Sequence, residues 1–151
     1  MSTTIATNKK AYHDYFVIEK WDAGIELVGS EVKAIRKGRA NLKDSYIRII
    51  NGEAWLMGMH ISHLESANPY YRPDETRVRR LLLHRKEILK LHNKSVISGM
   101  TIVPLSLYLN DRNLVKLQIA LAQGKEGHDK REDLKKKTAL REAQQEMKKY
   151  R

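Results

Sequence analysis

A mainly β protein, built on a small closed antiparallel barrel and followed by a basic tail, is predicted by three observations. SYIRII (45–50), Asn51-Gly52 and EAWLMGMHI (53–61) read as a hairpin across a type I′ turn. TIVPLSLYL (101–109) and LVKLQIALA (114–122) form a second apolar pair around Asn110-Asp111-Arg112-Asn113. After Gln123 the composition changes abruptly from apolar to charged.

Taken in order, residues 1–8 are small and polar and are expected to be loose. Tyr15 to Trp21 (YFVIEKW) is β-branched and aromatic, a first strand, and Asp22-Ala23-Gly24 makes a turn into a second, IELV. Ser30 is placed to N-cap a short helix, with Glu31 favourable in its first turn and Gly38 as its stop. In that helix Val32 and Ile35 point inward while Lys33, Arg36 and Lys37 stay in water. Along the first hairpin Trp55, Met57, Met59 and Ile61 alternate toward the core. Residues 66–76 form a loop, RVRRLLL (77–83) a strand, and HRKEILKLH (84–92) a helix. In the last pair Val103, Leu105, Leu107 and Leu109 face inward against Val115, Leu117, Ile119 and Leu121. Pro104 lacks an N–H for a ladder and belongs at an edge or bulge. Six or seven short antiparallel strands with two short flanking helices suggest an OB-like closed barrel over residues 1–123.

Residues 124–151 form the tail. It holds ten Lys/Arg and six Asp/Glu, a net of +4, with Leu140, Ala143, Met147 and Tyr150 on one thin helical stripe. Such a stripe buries too little surface to offset the ordering entropy of ~1–2 kcal/mol per residue. The tail is therefore expected to be disordered when free and helical against a large anionic partner; a helix docked on its own domain is the plainer alternative.

The formal charge of +11 leaves +7 on residues 1–123, so both parts are basic. That favours a polyanion over a small acidic substrate. An anionic membrane would call for an amphipathic basic helix rich in Trp or Phe, which is absent. The chain has no cysteine, which excludes disulfides and thiolate zinc sites. It has no apolar signal core and no run near 18 apolar residues, so a cytoplasmic protein is expected.

Two clusters point to nucleic acid. Arg72, Arg77, Arg79, Arg80, Arg85 and Lys86 put six cations in 15 residues, with no carboxylate between Thr76 and Lys86. Arg77, Arg79 and Arg80 are read as phosphate ligands, with Tyr70 and Tyr71 nearby for stacking. Asn8-Lys9-Lys10-Ala11-Tyr12-His13-Asp14-Tyr15 mixes bases, amides and aromatics in the way RNA loops and 2′-hydroxyls require. His60 and His63 point to opposite faces of a strand and lack a third ligand, so no metal and no other cofactor is expected. No nucleophile elbow, phosphate-cradling glycine loop or paired carboxylates occur, which points away from an enzyme.

With these pieces located, the chain resembles the SsrA-binding protein family, the small protein B partners of transfer-messenger RNA in bacterial trans-translation. The resemblance is carried by NKKAYHDY (8–15), GSEVKAIRKG (29–38) with DSY (44–46), RVRRLLL (77–83), TIVPLSLY (101–108) and GKEGHDKR (124–131). It implies an OB-like barrel that binds the elbow of the tRNA-like domain, supports its charging with alanine and delivers the RNA to stalled ribosomes. It also implies a tail that folds as a helix in the empty mRNA channel. By that resemblance Asn8, Lys9, His13 and Tyr15, with Lys10 between them, belong to an RNA-facing first strand, joined by Asp22, Arg36 and Lys116. Gly124, Lys125, His128, Asp129, Lys130 and Arg131 fall near the decoding centre, with Lys135, Lys136 and Lys137 beyond. Glu126 stands where the family commonly has a second lysine, and Gln123 where it is frequently basic. The implied partners are transfer-messenger RNA and the ribosome, with no membrane and no small-molecule substrate. The competing reading is a general OB-type single-strand RNA-binding or ribosome-associated protein.

Overall fold

The computed structural model describes residues 2–64 and 73–125. Its elements run β1 (Thr3–Thr7), α1 (Lys9–Asp14), β2 (Tyr15–Ile25), α2 (Gly29–Arg36), β3 (Ala40–Asn41), β4 (Tyr46–Ile50) and β5 (Glu53–Met57). Then come β6 (His60–Ile61), β7 (Arg79–Leu82), α3 (Arg85–Ser98), β8 (Thr101–Leu109) and β9 (Val115–Gly124). The fold is mainly β, as predicted. Seven strands make one antiparallel sheet in the order β1-β8-β9-β2-β7-β5-β4, and β3 pairs with β6 apart from it. Among the described residues the hydrogen-bonded order runs from β1 to β4 without a ladder joining its two ends, and β4 lies against β8.

The two predicted hairpins are present. Asn51 and Gly52 both have positive φ (53° and 77°), the type I′ requirement. Ala54 and Leu56 face the core, however, while Trp55 and Met57 are half-buried on the other side. Parity changes at Gly58, where φ is 79° and a Cβ would stand 2.9 Å from the Asp44 carbonyl oxygen. Beyond that kink Met59 and Ile61 turn inward as expected.

A similar slip divides the last pair. The register shifts between Pro104 and Ser106, the bulge expected of that proline. Val103 and Leu105 therefore pack with Ala11, Ala120 and Ala122 in a small second core. Leu107 joins Leu117, Ile119 and Leu121 in the main one, while Leu109 and Val115 are only half-buried. Leu56, Leu81, Leu91, Leu107, Leu117 and Ile119 are wholly enclosed, each contributing about 1.5–3 kcal/mol.

Other expectations are corrected. Residues 3–7 are not loose: β1 covers the outer edge of β8 from Thr3 opposite Leu109 to Thr7 opposite Ser106. Asp22-Ala23-Gly24 is no turn, because β2 runs unbroken to Ile25 between β9 and β7. Gly24 serves a close strand approach, since a Cβ there would lie 3.1 Å from the Leu82 Cβ. α2 is capped at Val28 rather than Ser30, with the Glu31 carboxylate accepting the Val28 N–H at 3.1 Å. Ala34, Ile35 and Glu31 are its buried residues; Val32 is half-buried. α3 begins after His84 but does not end at His92: it runs on to Ser98, and Gly99 stops it in the left-handed region (φ 64°).

Candidate nucleic-acid interface

The segment Asn8–Asp14 is not a strand but a capped helix, and only Tyr15 of the predicted strand residues lies in one, as the first residue of β2. Asn8 accepts the Ala11 N–H at 3.3 Å, starting α1, and donates Nδ2 to the Pro104 carbonyl at 2.9 Å. Its own N–H donates to the Leu105 carbonyl at 2.8 Å. Asn8 is thus buried, with its amide donors committed to carbonyls at the β8 bulge. Ala11 packs into the small core. That leaves Lys9, Lys10, Tyr12 and His13 exposed on one short helix, with Tyr15 half-buried beneath them. His13 Nδ1 meets Asp14 at 2.9 Å, and Lys10 approaches Asp44 at 3.9 Å, both in open solvent where such a pair is weak.

The arginine run is reorganised by long-range partners. Arg79, read from sequence as a phosphate ligand, has no exposed surface. It donates Nε to Glu31 at 2.8 Å, Nη1 to the Met59 and Arg77 carbonyls at 2.8 and 3.1 Å, and Nη2 to the Glu75 carbonyl at 3.1 Å. Its Nη2 also stands 2.7 Å from Glu31, so the whole guanidinium fork is engaged. Arg77 reaches the same carboxylate, at 2.5 Å through Nη2 and 3.1 Å through Nε. Arg80 pairs with Glu26 at 3.0 Å and Glu53 at 3.9 Å. Between Thr76 and Lys86 the sequence has no carboxylate, and the fold supplies them from α2, its approach and β5. Burial pushes the Glu31 carboxyl up, but hydrogen bonds from Arg77, the Val28 N–H and Arg79 outweigh it and hold the group below the ordinary carboxylate range.

A second cluster lies toward the other end of β2, about 20 Å from α1 at strand rise. Asp22, Arg80, His84, Glu87 and Lys116 line an open groove of about 560 Å³. Lys116 faces Gly24 across the β2–β9 ladder. Tyr108, which the sequence reading did not single out, donates its hydroxyl to Asp22 at 2.8 Å. Burial and then that bond to a carboxylate push the phenol up to about 12. A spectrophotometric titration should show one late tyrosine near that value. In Asp22→Asn it should ionise earlier, yet still above the ordinary value of about 10, because the phenol stays partly shielded from water. Arg36 sits at the tip of the last hairpin and donates to the Asn113 carbonyl at 3.0 Å.

Gly124 ends β9 opposite Tyr15, and the Lys125 N–H donates to the Asp14 carbonyl at 2.7 Å, so the ordered ladder outruns the compositional boundary at Gln123. His128, Asp129, Lys130, Arg131, Lys135, Lys136 and Lys137 lie outside the described residues, as do Tyr70, Tyr71 and Arg72. His63 hydrogen-bonds the Pro73 carbonyl, and no group of three metal-ligating side chains occurs among the described residues.

The family model described as SmpB protein matches residues 5–149 of this chain. An SsrA-binding protein from Nitratiruptor sp. is 60% identical over 147 residues, covering 97% of this chain and 98% of that relative. One from Campylobacter fetus subsp. fetus is 58% identical over 150 residues, covering 99% of each. Among solved structures, a chain from "tmRNA-SmpB: a journey to the center of the bacterial ribosome" is similar with a TM-score of 0.68 and 40% identity. That similarity covers 91% of this chain and 95% of the other.

Proposed function

The chain belongs to the SmpB protein family, and on that premise we propose that it is the RNA-binding partner of transfer-messenger RNA in ribosome rescue. It binds the tRNA-like domain of that RNA and brings it to stalled ribosomes for trans-translation; it is not an enzyme. The observation that carries the reading is α1, a rigid helix seated through Asn8 on the β8 bulge, which presents Lys9, Lys10 and His13 to solvent from a fixed frame. A folded RNA elbow is recognised by shape and backbone, so cations held in fixed positions give selectivity that a mobile chain cannot. Lys116, Asp22 and Arg36 extend the surface beyond α1. Arg77 and Arg79 support it from within by holding β7 and α2 together. The curled sheet, with β4 against β8, supports reading the body as an OB-like barrel. Residues 126–151 are the segment that probes the vacant mRNA channel near the decoding centre. No helix among the described residues is long and apolar enough to cross a membrane, and the working place is the bacterial cytoplasm.

The test is a salt series. Lys9→Ala with Lys10→Ala should weaken binding to the tRNA-like RNA. It should also flatten the slope of log K against log salt by about 1.4–1.8, at ~0.7–0.9 per phosphate contact. An unchanged slope would remove α1 from the interface. Excess unstructured RNA should leave the complex largely intact; full displacement would favour a general single-strand binder.

A further inference from the structure

Lys125 is placed by family resemblance among cations that meet the ribosome, yet in this structure it is held by the protein itself. Its N–H extends the β2–β9 ladder to the Asp14 carbonyl at 2.7 Å. Its ammonium donates to the Tyr12 carbonyl at 3.1 Å. That carbonyl is one of the groups left without an intrahelical partner at the end of α1, where a cation is favoured. The same ammonium stands 5.2 Å from the Phe16 ring centroid. Phe16 is otherwise unaccounted for: it is 57% exposed, and its neighbours Tyr15 and Val17, not it, pack on the small core.

We infer that Lys125 and Phe16 form a latch that fixes the end of the sheet to the last turn of α1. The helix that meets the RNA and the end of β9 at Lys125, from which the cationic chain departs, are thereby held in one frame. Lys125 is in this view a positioning residue, whose charge is spent on Tyr12 and Phe16 rather than on an RNA phosphate. The inference rests on the functional reading above for its purpose, but its geometry can be tested without RNA.

The experiment compares Lys125→Met, Lys125→Arg, Phe16→Leu and the Met/Leu double variant in the full-length chain. Amide exchange at Lys125 and Tyr15 should quicken roughly fivefold in both Lys125→Met and Phe16→Leu, and stay near the parent rate in Lys125→Arg. Peptide tagging on stalled ribosomes should fall in the same order. The double variant should be no worse than the poorer single one, because each substitution opens the same latch. Unchanged exchange in both single variants would overturn the latch. So would a tagging loss in Lys125→Met with full activity in Phe16→Leu, which would make Lys125 an ordinary ribosomal contact. Failure of the parent protein to bind the tRNA-like RNA would instead sink the functional reading, leaving the exchange rates to judge the latch.

Discussion

Glu31→Gln is expected to cost about 3–5 kcal/mol of folding stability, the range for removing one member of a buried ion pair. The amide keeps the shape but leaves Arg79, with no exposed surface, without its counter-charge, and Arg77 loses the same partner. Against a total stability of about 5–15 kcal/mol, that loss brings the domain close to unfolding. A urea titration should show the midpoint falling with the slope unchanged. The pH dependence has a definite sign. The folded Glu31 carboxyl lies below its unfolded value, so its contribution is complete above about pH 4.3 and is lost as pH falls through the depressed folded value. Parent protein should therefore lose stability on acidification with a component that Glu31→Gln lacks. Replacing both partners by apolar residues, Glu31→Leu with Arg79→Met, should recover much of the loss, since no unpaired charge then remains buried. If Glu31→Gln unfolds at the parent midpoint, the cluster is not what holds α2 to β7.

A chain ending at Lys125 should lose nearly all rescue activity while keeping its affinity for the tRNA-like RNA within a few-fold. The cut belongs there because Gly124 still pairs with Tyr15 and Lys125 still bonds to Asp14 and Tyr12. An earlier cut at Gln123 would fray the end of α1 and confuse two effects. The removed residues carry nine of the 29 Lys/Arg of the chain, and their gain in affinity comes from counterion release in an RNA-walled space. Filter binding and a tagging assay on truncated messages separate the two outcomes. Loss of RNA binding on this cut would mean that the body alone does not recognise the partner.

The arginine run shows why a site list read from sequence needs a fold to sort it. Five cations from Arg77 to Lys86 with no acid among them resemble a phosphate-binding face, but Glu31 lies 48 residues before Arg79 and meets it only when α2 packs behind β7. Asn8 shows the converse. Its side chain looked like an RNA donor, while a helix signal was already present: an Asn before Lys-Lys-Ala, a good cap followed by good helix formers. Gly24 misled in a third way, since a glycine closely following an aspartate reads as a turn unless the strand lying 3.1 Å from its missing Cβ is known.

By itself the sequence determined the mainly β class, both long hairpins, the stop of α2 at Gly38 and the basic character of body and tail. Those features rest on local terms: turn dihedrals, alternation, caps and charge. Only the tertiary structure decided which face of β5 is inside and how β8 divides between two cores, because Gly58 and the Pro104 bulge invert parity partway along. It also decided which cations are free, because a buried carboxylate recruits them across dozens of residues at a desolvation cost that no local pattern records.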